Sequence, residues 1–252
     1  MNPAAPARQV IVLVPTRGTI CAELGRALIN NTSGFDLVLR TRDRLAVDVA
    51  RNALAADAIA AADDAALFPA GSDPYVFWID SDAFFIAGTM ALMVRTLEDQ
   101  PDIDVLAGLF GPRASERGAT AFRTAGDRAS FLMPGVNFTR GDLVDVDIVG
   151  LHFLLHRVSL LRALGPEPFG PANSPASDDA AFCGRIRHGK GRIAVATGVP
   201  IFHVDERNGT AYSPGIGACA IEGNAISTTA LGHELPPEDR VYGGRVNAAT
   251  RS

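Results

Sequence analysis

The residue types best suited to chemistry fall in two short acidic clusters. The first is Asp80-Ser81-Asp82, directly after the apolar run Tyr75-Val76-Phe77-Trp78-Ile79. Two carboxylates flanking one small residue at the end of a rigid strand can converge on a hard divalent cation. Such an ion prefers oxygen ligands and readily bridges a diphosphate. Acids at a strand end also serve simply to make a turn or cap the next helix; the apolar strand in front of them favours the metal reading. The second cluster is Ser177-Asp178-Asp179, ahead of Ala180-Ala181-Phe182-Cys183. Adjacent acids at a helix start favour the helix dipole, and one of them can instead take a proton from an acceptor hydroxyl as general base. His203, in Phe202-His203-Val204, is a third candidate: a lone histidine is more often structural, but a neutral imidazole also completes divalent sites.

Two further groups are weaker signals. Asp48, Arg51 and Asn52 cluster on one turn, and a solvated helix face accounts for them cheaply. A nucleotide-binding role gains weight only because that helix should follow the second strand at the same edge. His152 and His156 point the same way if they share a strand, and at most one needs a functional role.

The elements that must position these residues follow from periodicity. Gln9 to Val14 is a short β-branched run, as expected of a parallel strand covered on both faces and ended by Pro15. The spacing predicts helices over Ile20–Ile29 and Leu45–Ala62, the latter Ala-rich, and strands over Phe35–Leu39 and Tyr75–Ile79. A helix over Thr89–Glu98 and a strand over Val105–Phe110 come next. This is β-α-β-α-β-α-β with short connections, the pattern of a doubly wound, mainly parallel sheet. Ligands of such sheets bind outside the carboxyl ends of the strands, where Pro15-Thr16-Arg17 and Asp80-Ser81-Asp82 both fall.

From Gly111 to Asp142 the pattern weakens to a loop, or a hairpin around Phe131 to Phe138. Strands are expected at Val144–Val149, His152–His156, Arg192–Thr197 and Val199–His203, and a short helix at Val158–Leu164. Gly165–Ser177 reads as a Pro/Gly-rich loop, and Asp178–His188 as a helix with Ser177 as N-cap. Beyond Glu206 the chain lacks clear periodicity and reads as a lid or a surface wrap.

Composition narrows the class. The chain has 252 residues, of which 47% are hydrophobic and 20% charged, suiting one globular α/β domain. A formal net charge of −5 removes general electrostatic attraction to nucleic acid. Cys21, Cys183 and Cys219 form no CxxC pair and read as reduced thiols of a cytoplasmic protein. The apolar run at Val10–Val14 is too short to span a bilayer, and the N-terminus does not have the form of a signal peptide.

The order of motifs resembles the GT-A fold glycosyltransferases, in particular family-two-like proteins of bacterial and phage type. It is carried by Val12-Leu13-Val14-Pro15-Thr16-Arg17, Val47-Asp48-Val49-Ala50-Arg51-Asn52 and Phe77-Trp78-Ile79-Asp80-Ser81-Asp82. Further on come Asp147-Ile148-Val149-Gly150, Leu154-Leu155-His156-Arg157, Ser177-Asp178-Asp179 with Phe182-Cys183, Gly189-Lys190-Gly191 and Phe202-His203-Val204. The resemblance spans residues 9 to 205, and its specificity lies in this order.

It implies a Rossmann-like nucleotide-sugar half (about residues 9–112) fused to an acceptor half (about 130–205), with 206–252 as C-terminal lid or wrap, all within one domain, 1–252. Pro15, Thr16, Arg17, Arg51, Asp80 and Ser81 would bind a UDP- or GDP-sugar. Asp80, Asp82 and His203 would hold Mn2+ or Mg2+, and Asp179, with Asp178 beside it, would be the base of an inverting reaction. The sequence departs from the family in having Asp-Asp where Glu-Asp is usual, and in placing His152 where small residues are common. A DSD motif with a downstream histidine is similar to retaining enzymes too, so the resemblance leaves the stereochemical outcome open. The alternatives are a sugar nucleotidyltransferase, which usually carries a richer Gly and Lys/Arg loop than Pro15-Thr16-Arg17-Gly18-Thr19, and a non-catalytic nucleotide-sugar-binding protein.

Overall fold

Val10 to Val14 have no solvent exposure, because the strand they form has neighbours on both edges and cover on both faces. In the computed structural model this strand, Arg8–Thr16 (β1), pairs in parallel with Phe35–Asp43 (β2) and Tyr75–Ile79 (β3). The structure describes residues 7–111, 119–125, 128–131, 141–172, 177–205, 210–214, 217–222 and 225–227. Ala22–Ile29 (α1) and Val47–Asp63 (α2) are the crossovers. β1 continues through Pro15 to Thr16, two residues past its expected end. Its β3 partner stops at Trp78 opposite Leu13, and a proline without N–H is tolerated where one edge has run out of partners.

The chain goes on through Ala83–Phe84 (β4), Thr89–Asp99 (α3), Val105–Leu109 (β5), Ala121–Ala125 (β6), Arg128–Phe131 (β7), Leu143–Val146 (β8), Ile148–Val149 (β9) and Phe153–Arg157 (β10). Val158–Leu164 (α4), Asp178–His188 (α5), Ile193–Pro200 (β11) and Phe202–Asp205 (β12) follow, then Thr210–Ser213 (β13), Gly217–Glu222 (β14) and Ala225–Ser227 (β15).

The central sheet has the order β2-β1-β3-β10-β5-β11-β8. It is mostly parallel, with β10 and β8 running against the rest. Alternation along the strands gives each face its own core. Val10, Val12, Phe77 and Phe153 pack with α1 and α3 on one side. Ile11, Leu13, Trp78 and Leu154 pack with α2, α4 and α5 on the other. Four alanines of α2 (Ala55, Ala58, Ala61 and Ala62) are buried there, so that helix seats close to the sheet through small side chains. The doubly wound reading of the sequence therefore describes the sheet.

Three features differ from the sequence reading. The hairpin lies at β6 and β7, ahead of the stretch around Phe131 to Phe138, whose later residues fall outside those described. Val144–Val149 is two strands, since β8 joins the central sheet while β9 joins β6 in a three-stranded sheet. Residues 210–227 contribute three strands to a five-stranded antiparallel sheet, β15-β14-β13-β12-β4, with Ala211 and Cys219 buried in the core. Their Gly, Ala, Ser and Thr content hides the alternation that would announce strands. No disulfide joins the three cysteines, all buried. No helix among the described residues is long and apolar enough to cross a membrane.

Candidate functional site

A cleft of about 650 Å³ opens at the carboxyl edge of β1 and β3. Ten of the residues drawn from the sequence line it: Pro15, Thr16 and Arg17 after β1, Arg51 on α2, Asp80, Ser81 and Asp82 after β3, Asp178 and Asp179 opening α5, and His203 on β12, whereas Asp48, Asn52 and His156 do not.

Antiparallel neighbours deliver a histidine to each aspartate of Asp80-Ser81-Asp82. β10 pairs with β3 so that Phe153 faces Ile79, and the Asp80 N–H donates to the His152 carbonyl at 2.9 Å, one step further along. That register sets the His152 imidazole against Asp80, with Nδ1 2.5 Å from Oδ2. β12 likewise pairs with β4, the Val204 N–H donating to the Asp82 carbonyl at 2.8 Å, and His203 Nε2 lies 3.0 Å from Asp82 Oδ2.

Arg51 is the centre of the floor. It is only 3% exposed, so the solvated-face reading does not hold for it. Its Nη2 donates to Asp80 Oδ1 at 3.1 Å, its Nη1 bonds Asp178, and Asp179 Oδ1 lies 3.6 Å from Nη1. Asn52 on the same turn is structural: its side chain donates to the Gly170 carbonyl and accepts from the Phe169 N–H, pinning that loop. Ser177 caps α5 as expected, accepting from the Ala180 N–H at 3.2 Å.

The charges follow from these contacts. Burial alone would raise the Asp80 pKa, but His152 and Arg51 outweigh it and hold the carboxyl down at about 2. Burial lowers the pKa of His152, and the Asp80 carboxylate more than reverses this, for a net rise. Burial raises the pKa of Asp179 and the Asp178 charge adds to that, against the pull of Arg51. Asp179 also accepts from the Leu151 N–H at 3.2 Å and is more open than its neighbour, with 29% of its side chain exposed against 11% for Asp178. Four carboxylates thus share the floor with one buried guanidinium, an excess of negative charge that attracts a cation.

Asp82 and His203 fit a divalent ion. Their facing oxygen and nitrogen are separated by about the distance expected between adjacent ligands each roughly 2.1 Å from one ion, and a mixed carboxylate–imidazole set suits Mn2+ better than Mg2+. Asp80 stands apart from the pair, both of its oxygens being taken by Arg51 and His152. Among the described residues no group of three or more His, Cys, Asp or Glu side chains converges as a ready-made metal cage. Thr16 shapes its own loop, its hydroxyl donating to the Thr19 carbonyl and accepting from the Gly18 N–H. Thr19, Cys21 and the Leu45–Val47 segment join the wall without having been singled out.

Of the two histidines that alternation put on one side, only His152 lines the cleft. His156 is fully buried, accepting from Trp78 Nε1 at 2.8 Å.

Comparison with solved structures supports the architecture. The crystal structure of protein A197 from STIV superposes with a TM-score of 0.60 at 16% identity, covering 85% of this chain and 94% of the other. The fold is GT-A-like. S. aureus TarS (residues 1–349) gives a TM-score of 0.44 at 14% identity, over 75% of this chain and 58% of that one. No protein-family model and no curated protein sequence matches the chain.

Proposed function

We propose that this chain is a metal-dependent glycosyltransferase that moves a sugar from a UDP- or GDP-sugar to a hydroxyl acceptor. One observation carries the reading: the Asp82–His203 pair and the Asp178–Asp179 helix start share a single cleft of a GT-A-like sheet, with Arg51 between the acids. When bound by Asp82 and His203, Mn2+ supplies positive charge that stabilises the departing diphosphate. Arg17, at the rim, offers a second cation to the phosphates.

Asp179 is the general base. Burial raises its basicity, Arg51 and the Leu151 N–H hold it in place, and part of its carboxylate is open to the cleft. It takes the proton of the acceptor hydroxyl as that oxygen bonds to the anomeric carbon. The bond from that carbon to the diphosphate oxygen breaks on the opposite face, so the reaction inverts the centre. Asp178, tied to Arg51, keeps the guanidinium oriented toward Asp80 and Asp179.

The test is to incubate the protein with UDP- and GDP-sugars and Mn2+ and to follow release of nucleoside diphosphate. The expected result is release from one donor class, lost with EDTA. Pyrophosphate release from a nucleoside triphosphate and a sugar phosphate would assign the site to nucleotidyl transfer instead. Binding with no turnover, not even donor hydrolysis, would leave a non-catalytic binding protein.

A further inference from the structure

His152 is fixed on three sides. Nδ1 meets Asp80 Oδ2 at 2.5 Å. The Phe110 ring stacks on the imidazole with centroids 4.3 Å apart and planes 23° from parallel. The remaining edge faces Gly150, where a Cβ would come within 2.7 Å of His152 Cδ2, 2.9 Å of Nε2 and 2.8 Å of Thr120 Oγ1. Gly150 does not have a left-handed backbone, so a side chain there would disturb packing against the ring rather than strain the chain.

This grip has a consequence for Asp80. Its Oδ1 is taken by Arg51 and its Oδ2 by His152. Asp80 and Asp82 flank a single residue at a strand end, so an unrestrained Asp80 carboxylate would be in reach of an ion held by Asp82.

We propose that His152 is a positioning residue that keeps Asp80 in the Arg51 clamp and out of the ion's coordination, leaving Asp82 and His203 as the protein ligands. The inference rests on the metal-dependent reading above. It makes one unusual demand: removing the His152 donor tightens metal binding, whereas loss of a merely structural residue would weaken it.

The experiment is a Mn2+ titration of the full chain, followed by the electron paramagnetic resonance signal of the free ion and requiring no turnover. His152→Phe keeps a ring on Phe110 but has no donor, and is expected to bind Mn2+ about tenfold more tightly because affinity rises with the number of charged ligands. Asp80→Asn in the His152→Phe background should cancel that gain, while Asp80→Asn alone should change affinity by less than about threefold. His152→Asn, with an amide N–H where Nδ1 stands, should behave as wild type. Gly150→Ala, which crowds the ring and removes no polar group, should shift affinity in the direction of His152→Phe. Wild-type or weaker affinity in His152→Phe, or a larger loss in Asp80→Asn alone, overturns the inference while leaving the metal reading intact. Failure of wild type and His152→Phe alike to bind Mn2+ overturns the metal reading, and the inference with it.

Discussion

His203 and Asp82 are 121 positions apart in the chain and meet at 3.0 Å, because β12 runs antiparallel beside the two-residue strand that follows Asp82. The pair gives the first prediction. On the proposed reading, in which Asp82 would hold the ion that stabilises the leaving diphosphate, Asp82→Ala should reduce metal-dependent turnover by at least about a hundredfold. Nucleoside diphosphate release under saturating Mn2+ measures this, and near wild-type turnover would remove Asp82 from the metal site.

Asp179→Asn keeps the shape of the side chain and its Leu151 contact but cannot accept a proton. We expect kcat to fall by about 10²–10⁴, the usual worth of a general base, with nucleotide affinity unchanged. Steady-state kinetics paired with nucleotide calorimetry separates the two. Full activity would make Asp179 a substrate-orienting group and argue against inversion.

Arg51→Met should destabilise the protein by about 1–3 kcal/mol at pH 7, because it leaves three part-buried carboxylates without their cation. The sign of the pH dependence follows from Asp80, held at about 2 in the folded protein. The stability that Arg51 and His152 confer through it is complete above the ordinary Asp value and disappears as pH falls through about 2. The gap between wild type and variant should therefore narrow below about pH 4. Urea unfolding across that range checks it, and equal stability at pH 7 would contradict the clamp.

His156 makes an acid-side prediction of its own. Burial pushes its pKa down to about 4. Trp78 donates to Nε2, and Nδ1 faces the Arg157 carbonyl at 2.7 Å, so only the neutral Nδ1–H tautomer satisfies both contacts. As pH falls from the ordinary histidine value toward 4, the unfolded chain takes up a proton that the folded chain refuses. Stability should drop by up to about 1.4 kcal/mol per pH unit from this group. His156→Gln retains an acceptor for Trp78 and does not titrate, so it should lose less stability between pH 7 and 5. Identical losses would show that His156 is not the source.

The parallel skeleton is legible because Val10–Val14 and Tyr75–Ile79 are unbroken apolar runs with helical stretches between them, a local signal. α5 is legible to the residue, since Ser177 and two acids mark its start and Gly189 closes it. The antiparallel insertions are not legible. Nothing in Phe153–Arg157 says that it lies between β3 and β5, because strand pairing is decided by distant partners rather than by the segment itself. That is why His152 reads only as an oddity in the sequence although it belongs to the cleft, while His156, four residues on, belongs to the core. Arg51 hides for a related reason: a charged residue near the start of a helix looks solvated until the segment before β10, at Leu151, and the start of α5 close over it.

The metal-dependent nucleotide site is tested most directly by calorimetric titration of UDP and GDP into the protein with Mn2+, repeated with EDTA. One of the two nucleotides is expected to bind, EDTA to weaken the binding, and Asp82→Ala to do the same with Mn2+ present. No binding of either nucleotide under any of these conditions would contradict that site, leaving the GT-A-like sheet as a likeness of fold alone.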